Sequence, residues 1–287
     1  MGFNEDLLKT SELFQCYRES PYLSLKHSCY FPVYDRLLDG YRGKALTLVE
    51  IGVLNGGSLF MWRRFFGGQA RIIGVDLNPD AKRWERDGFE IYIGNQVDPT
   101  FWTDFFHSVG DVDIVIDDGG HTYEQQIKTA LEVTPRIKDG GLLIVEDTHT
   151  SYFRSFGYPT KWSFVNWAKG IADELNSRSP DVNLQHGRLS GLVHSISFYE
   201  SMVVLTVDRS LCQVGFPTSN GGLAVNAQDF RHYDIESKLG LLAKSVLGTS
   251  IFRRTLDRAR RSVLKRVVRL VQRLRNRDLK KYFSNYD

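Results

Sequence analysis

A chain of 287 residues, 42% hydrophobic and 25% charged, has material for one large α/β domain or for a domain with an appendage. Its start, Met1-Gly2-Phe3-Asn4-Glu5-Asp6, is acidic and lacks the apolar stretch of a signal peptide, and no run of about 18 apolar residues is present to span a membrane, so a cytoplasmic protein is expected. Cys16, Cys29 and Cys212 stand far apart without a CxxC pair, which argues against a disulfide framework or a zinc site. The net charge of +3 hides a division: between Arg253 and Lys281 thirteen Lys or Arg residues face only Asp257 and Asp278, so the rest of the chain is acidic.

From Asn4 to about Arg42 the pattern is helical in places, broken at Ser20-Pro21, with an aromatic cluster of Tyr22, Tyr30, Phe31 and Tyr34. Residues 1–43 are expected to cover a ligand crevice, with Lys26, His27 and Tyr30 polar enough to line a pocket. Ala45 to Val53 predicts a buried strand, and Leu54-Asn55-Gly56-Gly57-Ser58 a glycine turn into a helix from Leu59 to about Phe66. A second strand, Arg71 to Leu77, carries Asp76 about twenty residues past the glycines, where a carboxylate accepts from both ribose hydroxyls of a nucleotide-like ligand. Phe89 to Ile93 predicts a third strand, with Gly94-Asn95-Gln96 at its end and a helix through Phe101, Phe105 and Phe106 beyond.

The fourth strand, Val112 to Ile116, and the fifth, Leu142 to Val145 after an Asp139-Gly140-Gly141 turn, are β-branched runs that end in acids: Asp117-Asp118-Gly119-Gly120-His121 and Glu146-Asp147. Ligands of open α/β sheets bind at the strands' carboxyl ends, so Asp118, His121, Glu146 and Asp147 are expected in one crevice. Carboxylate oxygens converging there suit a hard cation such as Mg²⁺, and His121, across two glycines, suits a general base. Acids after strands also serve as helix caps.

A polar and aromatic segment, Thr148 through Pro159, is long for a structureless connection and is expected to be functional, with His149 and Tyr152 placed to hold a substrate. A helix from about Lys161 to Leu175 follows, and then two apolar runs, Leu192 to Tyr199 and Met202 to Val207, around Glu200-Ser201, which predict an antiparallel hairpin. The expected architecture is a doubly wound, Rossmann-like α/β fold with a seven-stranded, mostly parallel sheet closed by this hairpin. Its core is expected over residues 44–210, followed by a linker and substrate-facing loop at 211–248 and a basic amphipathic helix at 249–287.

The ordered set Val49-Glu50-Ile51-Gly52-Val53-Leu54-Asn55-Gly56-Gly57-Ser58, Gly74-Val75-Asp76, Gly94-Asn95-Gln96, Ile116-Asp117-Asp118-Gly119-Gly120-His121 and Val145-Glu146-Asp147-Thr148-His149-Thr150-Ser151-Tyr152 resembles the class I methyltransferases of the macrocin and mycinamicin sugar O-methyltransferase type. The likeness runs from about Ser24 to Val207. It implies a divalent metal, Mg²⁺ or another, on Asp118, Glu146 and Asp147. It also implies His121 as the base that deprotonates a sugar hydroxyl; His149, Tyr152 and Tyr30, from their own position and polarity, are expected near the acceptor. S-adenosylmethionine would contact Glu50, Gly52, Asn55, Gly56 and Ser58 of the glycine turn, Asp76, and the region of Asn95, Gln96 and Asp117. Asn95 departs from the Asp that relatives often carry.

The expected partner is therefore a sugar-containing acceptor, in a protein expected to be a homo-oligomer. The basic tail would suit an anionic membrane surface, a neighbouring subunit's acidic body or nucleic acid. A membrane surface fits a lipid-linked glycan, and a peripheral position on the inner face of the membrane follows. Nucleic acid is disfavoured, because the fold region shows neither an Asn/Asp-Pro-Pro-Tyr motif nor basic patches. A nucleotide-binding or scaffold protein without catalysis is the other alternative; the spacing of Gly52 to Gly56 and the closing hairpin speak against an NAD-dependent oxidoreductase.

Overall fold

The structure is a computed structural model; it describes residues 5–157, 160–180, 182, 187–225 and the positions 266, 270, 271, 273 and 276. The chain divides into two units, residues 1–216 and 217–287.

In the first unit a seven-stranded sheet has the order β3-β2-β1-β4-β5-β7-β6. Its strands are β1 (Thr47–Ile51), β2 (Arg71–Asp76), β3 (Glu90–Ile93), β4 (Val112–Asp117), β5 (Ile137–Val145), β6 (Val193–Tyr199) and β7 (Met202–Val207). The first five pair in parallel, and β7 pairs antiparallel with both β5 and β6. The order reverses at β1, next to β4, which is where an open α/β sheet opens a ligand crevice.

Strand alternation fills two cores. Leu48, Ile114, Ile116, Leu142 and Ile144 face one side, where α1 (Glu5–Thr10), α2 (Glu12–Arg18), α3 (Tyr30–Leu38) and α4 (Gly57–Phe66) contribute Leu8, Leu13, Tyr34, Trp62 and Phe66. Val49, Val115, Leu143 and Val145 face the other, against α5 (Pro99–Val109), α6 (Tyr123–Val133) and α7 (Phe164–Asn176) with Trp102, Phe105, Ala130 and Ile171. Strands buried on both faces read as continuous apolar runs, as these do. The described N-terminal segment, from residue 5 to 43, is thus built into one core through α2 and α3, and its Leu23, Ser24 and Leu25 line the cavity described below.

Several boundaries differ from the sequence reading. The helix after β4 stops at Val133, because Pro135 cannot continue it and a 3₁₀ turn over Thr134–Arg136 takes over. The Asp139-Gly140-Gly141 turn is instead an irregularity inside β5: the pairing with β4 jumps from Val112↔Ile137 to Ile114↔Leu142, with Gly140 at φ 83°. A 3₁₀ stretch over Pro79–Asp87, N-capped by Asn78 and not foreseen, lays Trp84 against the glycine turn. No described helix is long and apolar enough to cross a membrane. The basic C-terminal helix lies mostly outside the described residues, which are helical at Arg266, Leu270, Val271, Arg273 and Asn276.

Candidate active site

A cavity of about 620 Å³ opens at the carboxyl ends of β1, β2 and β4. One wall is the turn after β1. Gly52 (φ 90°) runs so close to the next strand's exit that a Cβ there would stand 2.1 Å from the Asp118 carbonyl oxygen. Gly56, left-handed at φ 76°, lies flat under the Trp84 ring. Only glycine meets both demands at these positions. Asp76, at the end of β2, accepts from the Val53 and Leu54 N–H groups (2.8 and 3.1 Å), fixing the turn while it lines the cavity.

Asn55, Ser58, Asn95 and Gln96 line the same space. Gln96 braces it: its amide donates to Asp117 and Thr129 (both 3.0 Å), and its carbonyl oxygen accepts from the Gly120 N–H (3.1 Å).

Three residues expected at the cofactor stand behind the wall. The Glu50 carboxylate is fully buried and accepts from Ser58 Oγ (2.7 Å) and Trp62 Nε1 (3.0 Å), so it ties β1 to α4. Asp117, buried, accepts from Gln96 and from the Gly119 N–H (3.2 Å), and burial raises its pKa to about 6. Gly56 gives the turn its shape and is covered by Trp84. All three act on the cavity through its lining residues, which an acid or glycine motif alone does not reveal.

Beside the turn, at the exits of β4 and β5, stand the acids. The β4 exit is locked beside its neighbours: the Asp118 N–H donates to Ile51 O (3.0 Å), and the Glu146 N–H to Asp117 O (2.9 Å). His121 and Asp147, neither of them glycine, both take left-handed backbone conformations (φ 57° and 53°). Such angles persist only where surroundings impose them, and they cluster at functional sites. Here Thr150 Oγ1 donates to His121 O (3.0 Å), and the Tyr30 hydroxyl both donates to Asp147 Oδ1 (2.5 Å) and accepts from its N–H (3.0 Å). The result brings His121 Nε2 to 3.4 Å from Asp147 Oδ2 and 3.9 Å from Asp118 Oδ1. Asp118, His121 and Asp147 form a donor group able to hold a metal ion, and all three line the cavity that the glycine turn bounds.

Glu146 departs from its expected place in that group. Its carboxylate is 1% exposed and turned inward, accepting from the Tyr34 hydroxyl and, through both oxygens, from Lys26 Nζ (2.8 and 2.9 Å). The same ammonium reaches Asp118 Oδ2 at 2.7 Å and Glu50 at 3.8 Å. Burial opposes the charge on Lys26, but the surrounding carboxylates more than offset it and hold the ammonium above the ordinary lysine range. Burial, reinforced by Asp118, pushes Glu146 up against the pull of Lys26 and Tyr34. Lys26 therefore leaves Asp118 with one oxygen tied down and the other turned toward His121. Tyr30 does the same for Asp147. Both residues come from the N-terminal segment, whose polar character hinted at a pocket; Tyr34, read as one of an aromatic cluster, gave no sign of its hydroxyl's partner.

Tyr30 thus orients Asp147 instead of lining the cavity. His149 lies on the far side of Asp147, its ring edge-on to His27 and Phe153, and Tyr152 is half exposed on the 3₁₀ turn Thr148–Tyr152. Part of the 148–159 segment, Tyr158 and Pro159, lies outside the described residues.

A glycine-turn cavity, a ribose-distance acid and a carboxylate–histidine group on a 3-2-1-4-5-7-6 sheet define an α/β methyltransferase fold. The family comparison agrees: residues 49–148 match the family described as a methyltransferase domain, and the chain resembles the macrocin- and mycinamicin-type sugar O-methyltransferases. Relatives include an 8-demethyl-8-alpha-L-rhamnosyl tetracenomycin-C 2'-O-methyltransferase of Streptomyces olivaceus, 36% identical over 44% of this chain and 35% of its own length. Another is a demethylmacrocin O-methyltransferase of Streptomyces fradiae, 31% identical over 60% and 48%. The chain spans about half or less of the length of these curated relatives.

Among solved structures, the MycE methyltransferase of the mycinamycin biosynthetic pathway in complex with Mg and SAH aligns with a TM-score of 0.62 at 25% identity, over 83% of this chain and 60% of that one. A complex of the same enzyme with Mg, SAH and mycinamycin VI aligns with a TM-score of 0.59 at 26% identity, over 75% and 56%.

Proposed function

We propose that this chain is an S-adenosylmethionine-dependent, divalent-cation-dependent O-methyltransferase whose acceptor is a sugar hydroxyl. The observation that carries the reading is the shared cavity: the glycine turn, Asp76 and Asn95 line it together with Asp118, His121 and Asp147. The relatives' activities and the Mg and SAH of the MycE complexes point the same way.

The residues suit both groups. Oxygen donors of Asp118 and Asp147 fit a hard cation, with Glu146 set behind them on Lys26. The close approach at Gly52 and the carboxylate of Asp76 fit an adenosyl ligand with a ribose diol. When bound, the cofactor supplies an activated methyl group and the cation lowers the proton affinity of a hydroxyl that otherwise keeps its proton far above neutral pH.

The chain's own groups do the rest. His121 Nε2 accepts the acceptor's hydroxyl proton, and Asp147 Oδ2, 3.4 Å away, stabilises the imidazolium that forms. With that proton on His121, the acceptor oxygen would be left free to take the methyl group that a cofactor held by the glycine turn, Asp76 and Asn95 would supply. His149 and Tyr152 lie past Asp147 and outside the cavity lining, so in this reading they would reach only parts of the acceptor remote from the reacting hydroxyl. Homo-oligomer formation and contact of the basic tail with an anionic membrane belong to the same proposal, supported by the tail's charge.

The test is transfer of radiolabelled methyl from S-adenosylmethionine to a panel of glycosides, with and without chelator. We expect transfer that chelation abolishes and that His121→Ala lowers by ~10²–10⁴-fold. Label appearing in RNA or DNA, and in no glycoside, would overturn the acceptor class.

A further inference from the structure

Asp147 faces two ways. Its Oδ2 looks toward His121, while its Oδ1 lies 3.7 Å from His27 Nε2, and His27 does not line the cavity. His149 completes a second donor group there: donor atoms of His27, Asp147 and His149 all lie within 4.8 Å of one another. We propose that these three residues form a second cation site, distinct from the Asp118–His121–Asp147 group and sharing with it the Asp147 carboxylate as a bridge.

Three observations support it. The first is the donor chemistry. Two imidazoles and one carboxylate oxygen suit a borderline metal such as Zn²⁺ or Co²⁺, whereas the oxygen-richer group suits Mg²⁺. The second is an unfilled need: His149 Nδ1 is buried and has no hydrogen-bond partner, although polar atoms removed from water nearly always find one. A ring nitrogen without a partner keeps its lone pair for a metal when the proton sits on the other nitrogen.

The third is geometry. The His27 and His149 rings meet edge-on with centroids 5.1 Å apart, an arrangement in which two imidazoles can converge on one ion. Ligand atoms of a tetrahedral centre with bonds of about 2.0–2.1 Å stand roughly 3.3 Å apart, so modest side-chain rotations from the present spacing close the site. Tyr30 donates to Asp147 Oδ1 at 2.5 Å, and that oxygen's second lone pair remains for the ion. His27 is 56% exposed and leaves an entry path and an open coordination position.

The site joins the N-terminal segment, through His27, to the 3₁₀ turn after β5, through His149, across a residue that also faces the proposed catalytic side. A cation there would clamp the segment that supplies Lys26 and Tyr30. Its occupancy does not depend on methyl transfer, so the two readings fail separately.

Titration with Co²⁺ in the presence of excess Mg²⁺, followed by visible absorption, tests it on the whole chain. Tetrahedral or five-coordinate Co²⁺ with nitrogen ligands absorbs far more strongly than octahedral Co²⁺ on oxygen. We expect one Co²⁺ per chain with the intense spectrum, lost in His27→Ala and in His149→Ala and retained in Asp118→Ala. Melting curves of the two histidine variants should match the wild type without metal, which separates lost ligation from misfolding. Absence of the intense band in the wild type, or a band that survives both histidine substitutions and disappears with Asp118→Ala, overturns the proposal.

Discussion

At the scale of single residues, the site rests on a lysine. Lys26, 1% exposed, neutralises a nest of carboxylates from three strands, Glu50 of β1, Asp118 after β4 and Glu146 after β5. Removing one partner of a buried ion pair costs more than the pair contributes, because the remaining charge is stranded. We therefore expect Lys26→Met to lose about 3–5 kcal/mol of stability in chemical denaturation. Adding Glu146→Gln should return much of that loss; a double variant no more stable than Lys26→Met would count against this role.

Sequence showed the acids well, since β-branched runs ending in Asp117-Asp118 and Glu146-Asp147 are a local signal. What it hid was which way each carboxylate turns. The partner of Glu146 lies 120 residues upstream, and nothing in the spacing of Ser24-Leu25-Lys26 shows that its ammonium is buried. Asp117 and Glu50, acids beside a nucleotide-type turn, are likewise drawn behind the wall by Gln96 and Trp62.

At the scale of elements, strands were the legible part. Five largely apolar runs and a hairpin gave the sheet, because strands buried on both faces carry few polar residues, Glu50 in β1 being a buried exception. Irregular pieces were harder. Pro79–Asp87 is polar apart from Ala81 and Trp84, so its two inward side chains leave no periodicity to read. The glycines of Asp139-Gly140-Gly141 signal a turn by composition, yet β5 continues through them, held from outside by Arg209. Its guanidinium donates to Asp139 Oδ1 (2.7 Å), Ile137 O and Pro135 O, and its backbone N–H also donates to Asp139 (2.9 Å).

The backbone bond first, then the guanidinium, holds Asp139 below the usual carboxylate range. A lowered native pKa contributes stability above the unfolded value and loses it as pH falls through the lowered one. The melting temperature of the wild type should thus exceed that of Asp139→Asn by a small margin at neutral pH. That margin should vanish in acid. A difference that stays constant with pH would assign the effect to packing.

At the scale of the molecule, charge is divided along the chain, an acidic body followed by a tail with thirteen basic residues between Arg253 and Lys281. Each basic residue near an anionic bilayer is worth about 1 kcal/mol. Co-sedimentation with phosphatidylserine vesicles should be strong at low salt, weaken as salt rises, and disappear when residues 249–287 are removed. Equal binding by the shortened chain would exclude the tail as the contact.

The central claim joins cofactor and cation in one cavity. It is tested most directly by calorimetric titration with S-adenosylhomocysteine, with and without Mg²⁺, on the wild type and on Asp118→Ala. The account predicts cofactor binding to both proteins, and Mg²⁺ binding to the wild type alone. A wild type that takes up no S-adenosylhomocysteine would contradict it.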